Sequence, residues 1–331
     1  MSDTAVGFQV VDSVGRGGAR RWLRRILLLC LVILSAAVAY LYWRSLRVMG
    51  EGPAGPAVVH DFSEPWTQRR VELLGIGDSV TKGLGAARPS HSYFERLAVN
   101  PEDEWNDMRG KCLERVLPNL VTNNIAISGS TSLHHEQYID EQLEPRDAST
   151  FGLVVMTTGG NDLIHMYGLS PPKEGAMYGA STEQALPWID SFRERLDRML
   201  DKVIELYPGG CEIYLADIYD PTDGVGDAAS IWLPAWKDGL EIHARYNEIL
   251  QNACTSRENV FHVPLYETFL GHGSHYKDFW RDTYCSDDPY HWYFTNIEDP
   301  NDRGYDAIRR IFLNAICENT SLKLNAVSLD H

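Results

Sequence analysis

An uncharged run of eighteen residues, Ile26 to Trp43, sets the first limit on what this chain can fold into. A helix of about 20 apolar residues spans the hydrocarbon layer of a bilayer. Arg20, Arg21, Arg24 and Arg25 stand directly before the run, and only Arg44 and Arg47 follow closely. That bias places the N-terminus in the cytoplasm and everything after the run outside. Tyr40, Tyr42 and Trp43 fall where interfacial aromatic residues would lie. The competing reading is a cleaved signal peptide, since Ala37-Val38-Ala39 has the small residues of a cleavage site. The apolar run continues past that site through Tyr-Leu-Tyr-Trp, which favours a retained anchor. Both readings export the remainder.

The predicted organisation is a basic cytoplasmic N-terminus (1–25), a transmembrane anchor (26–43) and a stalk (44–66). A single globular domain (67–320) and a short C-terminal tail (321–331) complete it. The stalk follows from Pro53, Pro56, Pro65 and several glycines.

Charge separates the parts further. Residues 1–50 carry seven Arg against Asp3 and Asp12, a net of +5, which leaves −21 for the rest of the −16 chain. A part so acidic repels phosphate backbones, so a nucleic-acid partner is not expected. Cys30 lies in the anchor. Cys112, Cys211, Cys254, Cys285 and Cys317 lie in the exported part, where disulfides are permitted, but their spacing fixes no pairing.

Beyond the stalk, strand-like apolar runs alternate with helical stretches, the pattern of an α/β domain with a parallel sheet. The expected strands are 71–77, 120–128, 152–158, 212–218 and 260–265. The clearest helix is expected from Leu186 to Leu206, where Trp188, Phe192, Leu196, Leu200 and Val203 recur at helical spacing. Two more are expected over Gly239–Cys254 and Arg303–Cys317.

In open parallel sheets ligands bind beyond the carboxyl ends of the strands. Three such ends carry suitable chemistry. Gly77-Asp78-Ser79-Val80-Thr81-Lys82-Gly83 follows the first strand and presents a hydroxyl between strand and helix. Asn124-Ile-Ala-Ile-Ser-Gly129 closes the second with a glycine whose N–H can approach a ligand closely. Thr157-Thr158-Gly159-Gly160-Asn161-Asp162 closes the third with an amide donor. Singly, each could be an ordinary turn or cap. In this order they converge on one crevice.

These segments resemble the SGNH/GDSL hydrolase family over about residues 70–316. GDSVTKG is similar to its first block, the Gly129 segment to its second, and Gly159-x-Asn161-Asp162 to its third. The resemblance implies a three-layer flavodoxin-like fold with Ser79 as nucleophile. It also implies an oxyanion hole formed by the Ser79 N–H, the Gly129 N–H and the Asn161 side chain, with Asp78 and Asp162 in support.

The fourth block departs from the family. In place of Asp-x-x-His before the last helix, the tail reads Asn296-Ile-Glu-Asp299-Pro-Asn-Asp-Arg-Gly-Tyr305. Aligned on Pro-Asn-Asp-x-Gly-Tyr, Asn296 replaces the acid and Asp299 the histidine. A carboxylate near pKa 4 is a poor base for a serine hydroxyl unless its pKa is raised. A histidine arriving from elsewhere is therefore expected. His275, in Phe269-Leu-Gly-His272-Gly-Ser-His275, is the first candidate, with Asp299 or Glu298 orienting it. His291, in Asp288-Pro-Tyr-His291, and His272 are alternatives. His134 and His135 could line the pocket, although a surface helix turn suits them better.

His272 and His275 alone fall short of a metal site, and no cofactor is expected. Trp232, Trp236, Trp280, Tyr290 and Trp292 suit core packing as well as a grip on sugars or acyl chains. The expected activity is that of an extracytoplasmic esterase or deacylase working through an acyl-enzyme on a small-molecule or saccharide ester. A sugar hydroxyl as acyl acceptor would make it an acyltransferase. A non-catalytic binding or scaffold domain on the same fold is the alternative that the missing histidine suggests.

Overall fold

The computed structural model describes residues 16–326 and divides near residue 48 into two units. The first is helix α1 (Arg16–Ser45). Its segment Arg20–Tyr42 has a mean hydropathy of 2.2 and is long and apolar enough to cross a membrane. Leu27, Leu31 and Leu34 are all exposed, so this unit's own structure leaves their apolar surface uncovered.

The second unit is built on five parallel strands. These are β1 (Arg70–Ile76), β2 (Leu120–Asn124), β3 (Thr150–Met156), β4 (Cys211–Ala216) and β5 (Val260–Val263), in the order β2-β1-β3-β4-β5. Alternation along the strands divides the core in two. Val71, Leu73, Leu153, Val155, Tyr214 and Ala216 enter one hydrophobic cluster. Leu74, Ile76, Val154, Met156, Ile213 and Leu215 enter the other. Strands buried on both faces read as nearly unbroken apolar runs, as these do.

Among the helices are α2 (Ser79–Lys82), α3 (Tyr93–Ala98), α4 (Ser132–Gln142), α5 (Gly160–Ile164) and α6 (Thr182–Glu205). They continue with α7 (Gly239–Thr255), α8 (Leu265–Phe269) and α9 (Asp302–Asn319). Residues of α3 and α9 pack in the first cluster and those of α6 and α7 in the second, giving three layers. The chain leaves β1 toward β2 on one side and then crosses to β3 on the other. That reversal opens a crevice beyond the carboxyl ends of β1 and β3.

The five expected strands and the three expected helices all occur in the expected order and differ at their ends, and the shorter helices α2–α5 and α8 are additional. Helix α6 begins at Thr182, four residues before the expected Leu186, because Ser181 and Gln184 form a capping box ahead of it. The second strand stops at Asn124. Beyond it the edge is held by isolated bonds from Ile125 N–H to the Gly75 carbonyl (3.0 Å) and from Ile127 N–H to the Gly77 carbonyl (3.1 Å). All six cysteines are free thiols.

Helix α9 is fastened by charge as well as by apolar packing. Arg309 is fully buried, 2.9 Å from Glu104 and also bonded to Asp306, which holds Arg310 at 3.0 Å. Removing one member of such a group strands the others without compensation, a loss of about 3–5 kcal/mol. Arg309→Met is expected to destabilise the fold by that amount, read from chemical denaturation of the folded protein. A change below about 1 kcal/mol would show that the group relaxes freely.

Candidate active site

Ser79 is the first residue of α2, immediately after β1. Asp78 caps this helix, its Oδ1 accepting the Val80 N–H at 3.0 Å. Thr81 Oγ1 bonds Thr157 Oγ1 at 2.8 Å and the Tyr93 hydroxyl at 2.7 Å, tying the Ser79 turn to the end of β3. Gly83 closes the turn in the left-handed region, at φ 92°.

The end of β3 brings in the amide. Gly159, also left-handed (φ 92°), turns the chain into α5. A Cβ there would stand 3.0 Å from Tyr246 and 3.1 Å from Phe192. The Asn161 amide donates one N–H to the Ser130 carbonyl at 2.9 Å. An amide has a second N–H to offer. Gly129 is exposed in the loop before Ser130, at φ 79°, and its side of that loop is not part of the pocket wall. Asp162 is buried below, accepting the Ser132 N–H at 2.8 Å together with the Ser132 hydroxyl, and so fixes the start of α4.

His135 was a minor candidate for the pocket wall and has a different place. It is buried between Ser130 Oγ and Thr158 Oγ1, 2.8 Å from each. Burial pushes its pKa down to about 3, so the ring is a neutral strut joining the Gly129 loop to β3. His134 lies exposed on the helix and accepts the Thr131 N–H at 3.1 Å.

The structure corrects the expected histidine base. His275 is held by Asp227 (Nε2, 2.9 Å) and Asp278 (Nδ1, 2.8 Å) and does not line the pocket of Ser79. The cause is Asp223, whose carboxylate accepts the N–H groups of Gly271, Gly273 and His275 at 3.0, 2.8 and 2.8 Å. Those bonds tie the His-containing loop to the segment after β4. His272 stacks on Trp292 at 3.5 Å between ring centroids, with Nδ1 on the Tyr290 carbonyl. His291 is fully buried, its Nδ1 3.1 Å from the Tyr293 carbonyl. Neither lines the pocket. His243 does, and its Nε2 donates to the Ile218 carbonyl at 2.8 Å.

What stands beside Ser79 is Asp299 itself. Its carboxylate is buried, and the Ser79 hydroxyl is near enough to favour the ionised form, as is the Asn296 amide, which donates to Oδ2 at 2.6 Å. Oδ1 has no hydrogen-bond partner within 3.5 Å among the described residues. Burial outweighs the two donors and leaves the Asp299 pKa raised. Pro300 and Asn301 fix the turn. Asn301 caps α9 by accepting the Arg303 N–H at 2.9 Å, and its amide donates to the carbonyls of His291 (2.8 Å) and Tyr293 (3.1 Å).

Asp78 feels this neighbour. Burial first, and the negative charge of Asp299 after it, push the Asp78 pKa up to about 7. Glu298 is raised too, chiefly by burial; its carboxylate receives the Tyr167 hydroxyl and its carbonyl the Tyr219 hydroxyl (2.5 Å). Sequence reasoning had no local signal for the two tyrosines. They meet the 296–299 turn only in the fold.

The profile of the GDSL-like lipase/acylhydrolase family matches residues 76–307, most of the globular unit. The chain belongs to that family. Membership places it among the serine hydrolases that act on ester bonds. No curated protein matches the sequence. Among solved structures it is similar to an acetyl-xylooligosaccharide esterase variant from Geobacillus stearothermophilus, at 18% identity over 76% of this chain and 96% of that one, with a TM-score of 0.46. A lipase from a goat rumen metagenome gives 16% identity over 76% and 99% of the two chains, TM-score 0.47. An extracellular lipase from Streptomyces rimosus gives 16% over 76% and 100%, TM-score 0.46.

Proposed function

We propose that this family member is a membrane-anchored ester hydrolase in which Asp299, occupying the position of the family's histidine, takes the proton of Ser79 directly. The observation that carries this reading is the buried Asp299 carboxylate, with Oδ2 on Asn296 and an unpartnered Oδ1, next to the Ser79 hydroxyl. The order Ser79, Asp299, Asn296 reproduces the succession nucleophile, base, orienting group.

In the reaction, Ser79 Oγ bonds to the ester carbonyl carbon while its proton passes to Asp299. The charge on the carbonyl oxygen is met by the Ser79 N–H and the second N–H of the Asn161 amide, while Gly129, outside the pocket wall, would join them only if its loop moved inward. The carboxylic acid of Asp299 then returns the proton to the departing alcohol. Water attacks the acyl carbon while losing a proton to Asp299, and Asp299 returns that proton to Ser79 Oγ as the ester bond to Ser79 breaks and the acid leaves. A buried carboxylate with a raised pKa is a better base than a solvated one, and burial supplies that rise here. The Arg cluster before the apolar helix supports a catalytic unit outside the cytoplasm.

Labelling the full-length protein with a fluorophosphonate tests the reading. Covalent modification mapped to Ser79 is the expected result. A phosphatase fused after residue 331 is expected to be active only on the outer side of the membrane. An inert Ser79 in a folded protein would overturn the hydrolase and leave a binding domain on this fold. Acyl transfer to an added sugar in preference to water would make it an acyltransferase.

A further inference from the structure

The pocket that holds Ser79 extends well past the reacting atoms. Asp78, Ser79, Asn161 and Asp299 line it together with a largely aliphatic region contributed by other elements. Leu163 and Ile164 of α5 form part of that region, and Ile231, Leu233 and Trp236 come from the long connection between β4 and α7. Leu240, on the first turn of α7, adds a partly exposed side chain. Ile218 links the two regions: a Cβ on Gly160 would lie 3.8 Å from Asp78 Oδ2 and 3.9 Å from Ile218 Cγ2.

The wall is built. The Trp236 Nε1–H donates to the Ala180 carbonyl at 2.8 Å, and its ring packs on Tyr178 at 4.8 Å between centroids. The Tyr178 hydroxyl donates to the Pro234 carbonyl at 2.6 Å. Two hydrogen bonds and a ring contact thus hold the connection over the pocket. Charge is one-sided: Asp78, Asp217, Asp220, Glu298 and Asp299 line the pocket, and neither Lys nor Arg does.

We infer that this region is an acyl slot, and that the substrates are uncharged esters of apolar acyl chains several carbons long, in preference to acetyl esters or esters with an anionic acyl group. The inference rests on the reading of Ser79 as nucleophile. An aliphatic wall continuous with the serine gains about fourfold in binding for each methylene it takes from water. An acetyl group has a single methyl to place against that wall, so it draws the least from it. A carboxylate or phosphate would enter a pocket whose wall includes acidic side chains, Asp299 among them, and neither Lys nor Arg to receive it.

The test uses the full chain in nanodiscs and p-nitrophenyl esters of straight-chain acids, from acetyl to dodecanoyl. The expected kcat/KM climbs by up to about fourfold per methylene until the slot is full. Leu240→Trp, which adds bulk at the slot's edge, should depress the longer esters at least tenfold more than the acetyl ester. Decanol should inhibit and decanoate should not. A flat or falling dependence on chain length, or equal loss at every length in Leu240→Trp, overturns the slot while leaving the hydrolase intact. Should no ester react and Ser79 prove inert, the hydrolase reading fails. Equilibrium binding of radiolabelled decanol to Ser79→Ala, with empty nanodiscs as the blank, then still decides the slot: saturable binding weakened by Leu240→Trp supports it, and its absence overturns it.

Discussion

Replacing Ser79 by alanine is expected to lower ester hydrolysis by several orders of magnitude while the fold persists. Loss of a nucleophile removes the acyl-enzyme route altogether, and what remains comes from oxyanion donors and binding. The side chain lost is small and half-exposed, and the bonds that shape its turn belong to Asp78, Thr81 and Thr157. No packing is forfeited, so thermal unfolding should match that of the parent. Steady-state hydrolysis of an activated ester, run beside circular dichroism, measures both. Turnover near the parent's in a folded Ser79→Ala protein would remove the serine from the mechanism.

The shape of the Ser79 turn was legible because its determinants are local. A strand, a Gly-Asp-Ser turn and a short helix follow one another within a dozen residues, and the same holds for the Asn161 turn. The histidines were not legible for the opposite reason. His275 is kept from the pocket by Asp223, about fifty positions earlier, and nothing in the local spelling Gly-His-Gly-Ser-His reports that partner. The motif Pro-Asn-Asp-x-Gly-Tyr sets Asp299 at the histidine's position, but the sequence suggests only an orienting role for it, because an ordinary carboxylate is a weak base. The missing quantity was burial, which depends on Tyr167, Tyr219 and α9 closing around the turn. Burial also explains His135: its helical neighbours suggest a surface turn, yet Ser130 and Thr158 enclose it.

Two carboxylates beside one hydroxyl also define how the rate should depend on pH. Asp299 must be ionised to accept a proton, whereas an ionised Asp78 would oppose the negative charge that develops on the substrate oxygen. Working form and charge therefore coincide when the pair holds one proton, a titration belonging to the pair as a whole. The Ser79 hydroxyl and the Asn296 amide favour the charge on Asp299, so the proton resides on Asp78, whose pKa is pushed up to about 7. The kcat/KM profile is expected to fall on the acid side as Asp299 is protonated, above the ordinary range of aspartate. It should fall again above about pH 7 as Asp78 ionises. Asp78→Asn should abolish that alkaline fall.

Removing the base should have the second largest effect. Asp299→Asn keeps the shape and the Asn296 contact but cannot take a proton, and the loss of general-base assistance costs about 100- to 10,000-fold in kcat. Rescue separates a chemical role from a structural one. The pair Asn296→Asp with Asp299→His writes the family's acid and histidine into the same turn, so a protein that recovers turnover only with both changes locates the base at 299. Its optimum should move upward, since an imidazole beside a carboxylate must be neutral to act and titrates near or above pH 6.5. Full activity in Asp299→Asn would instead assign the proton to a group outside this turn, and His243 would be the next residue to replace.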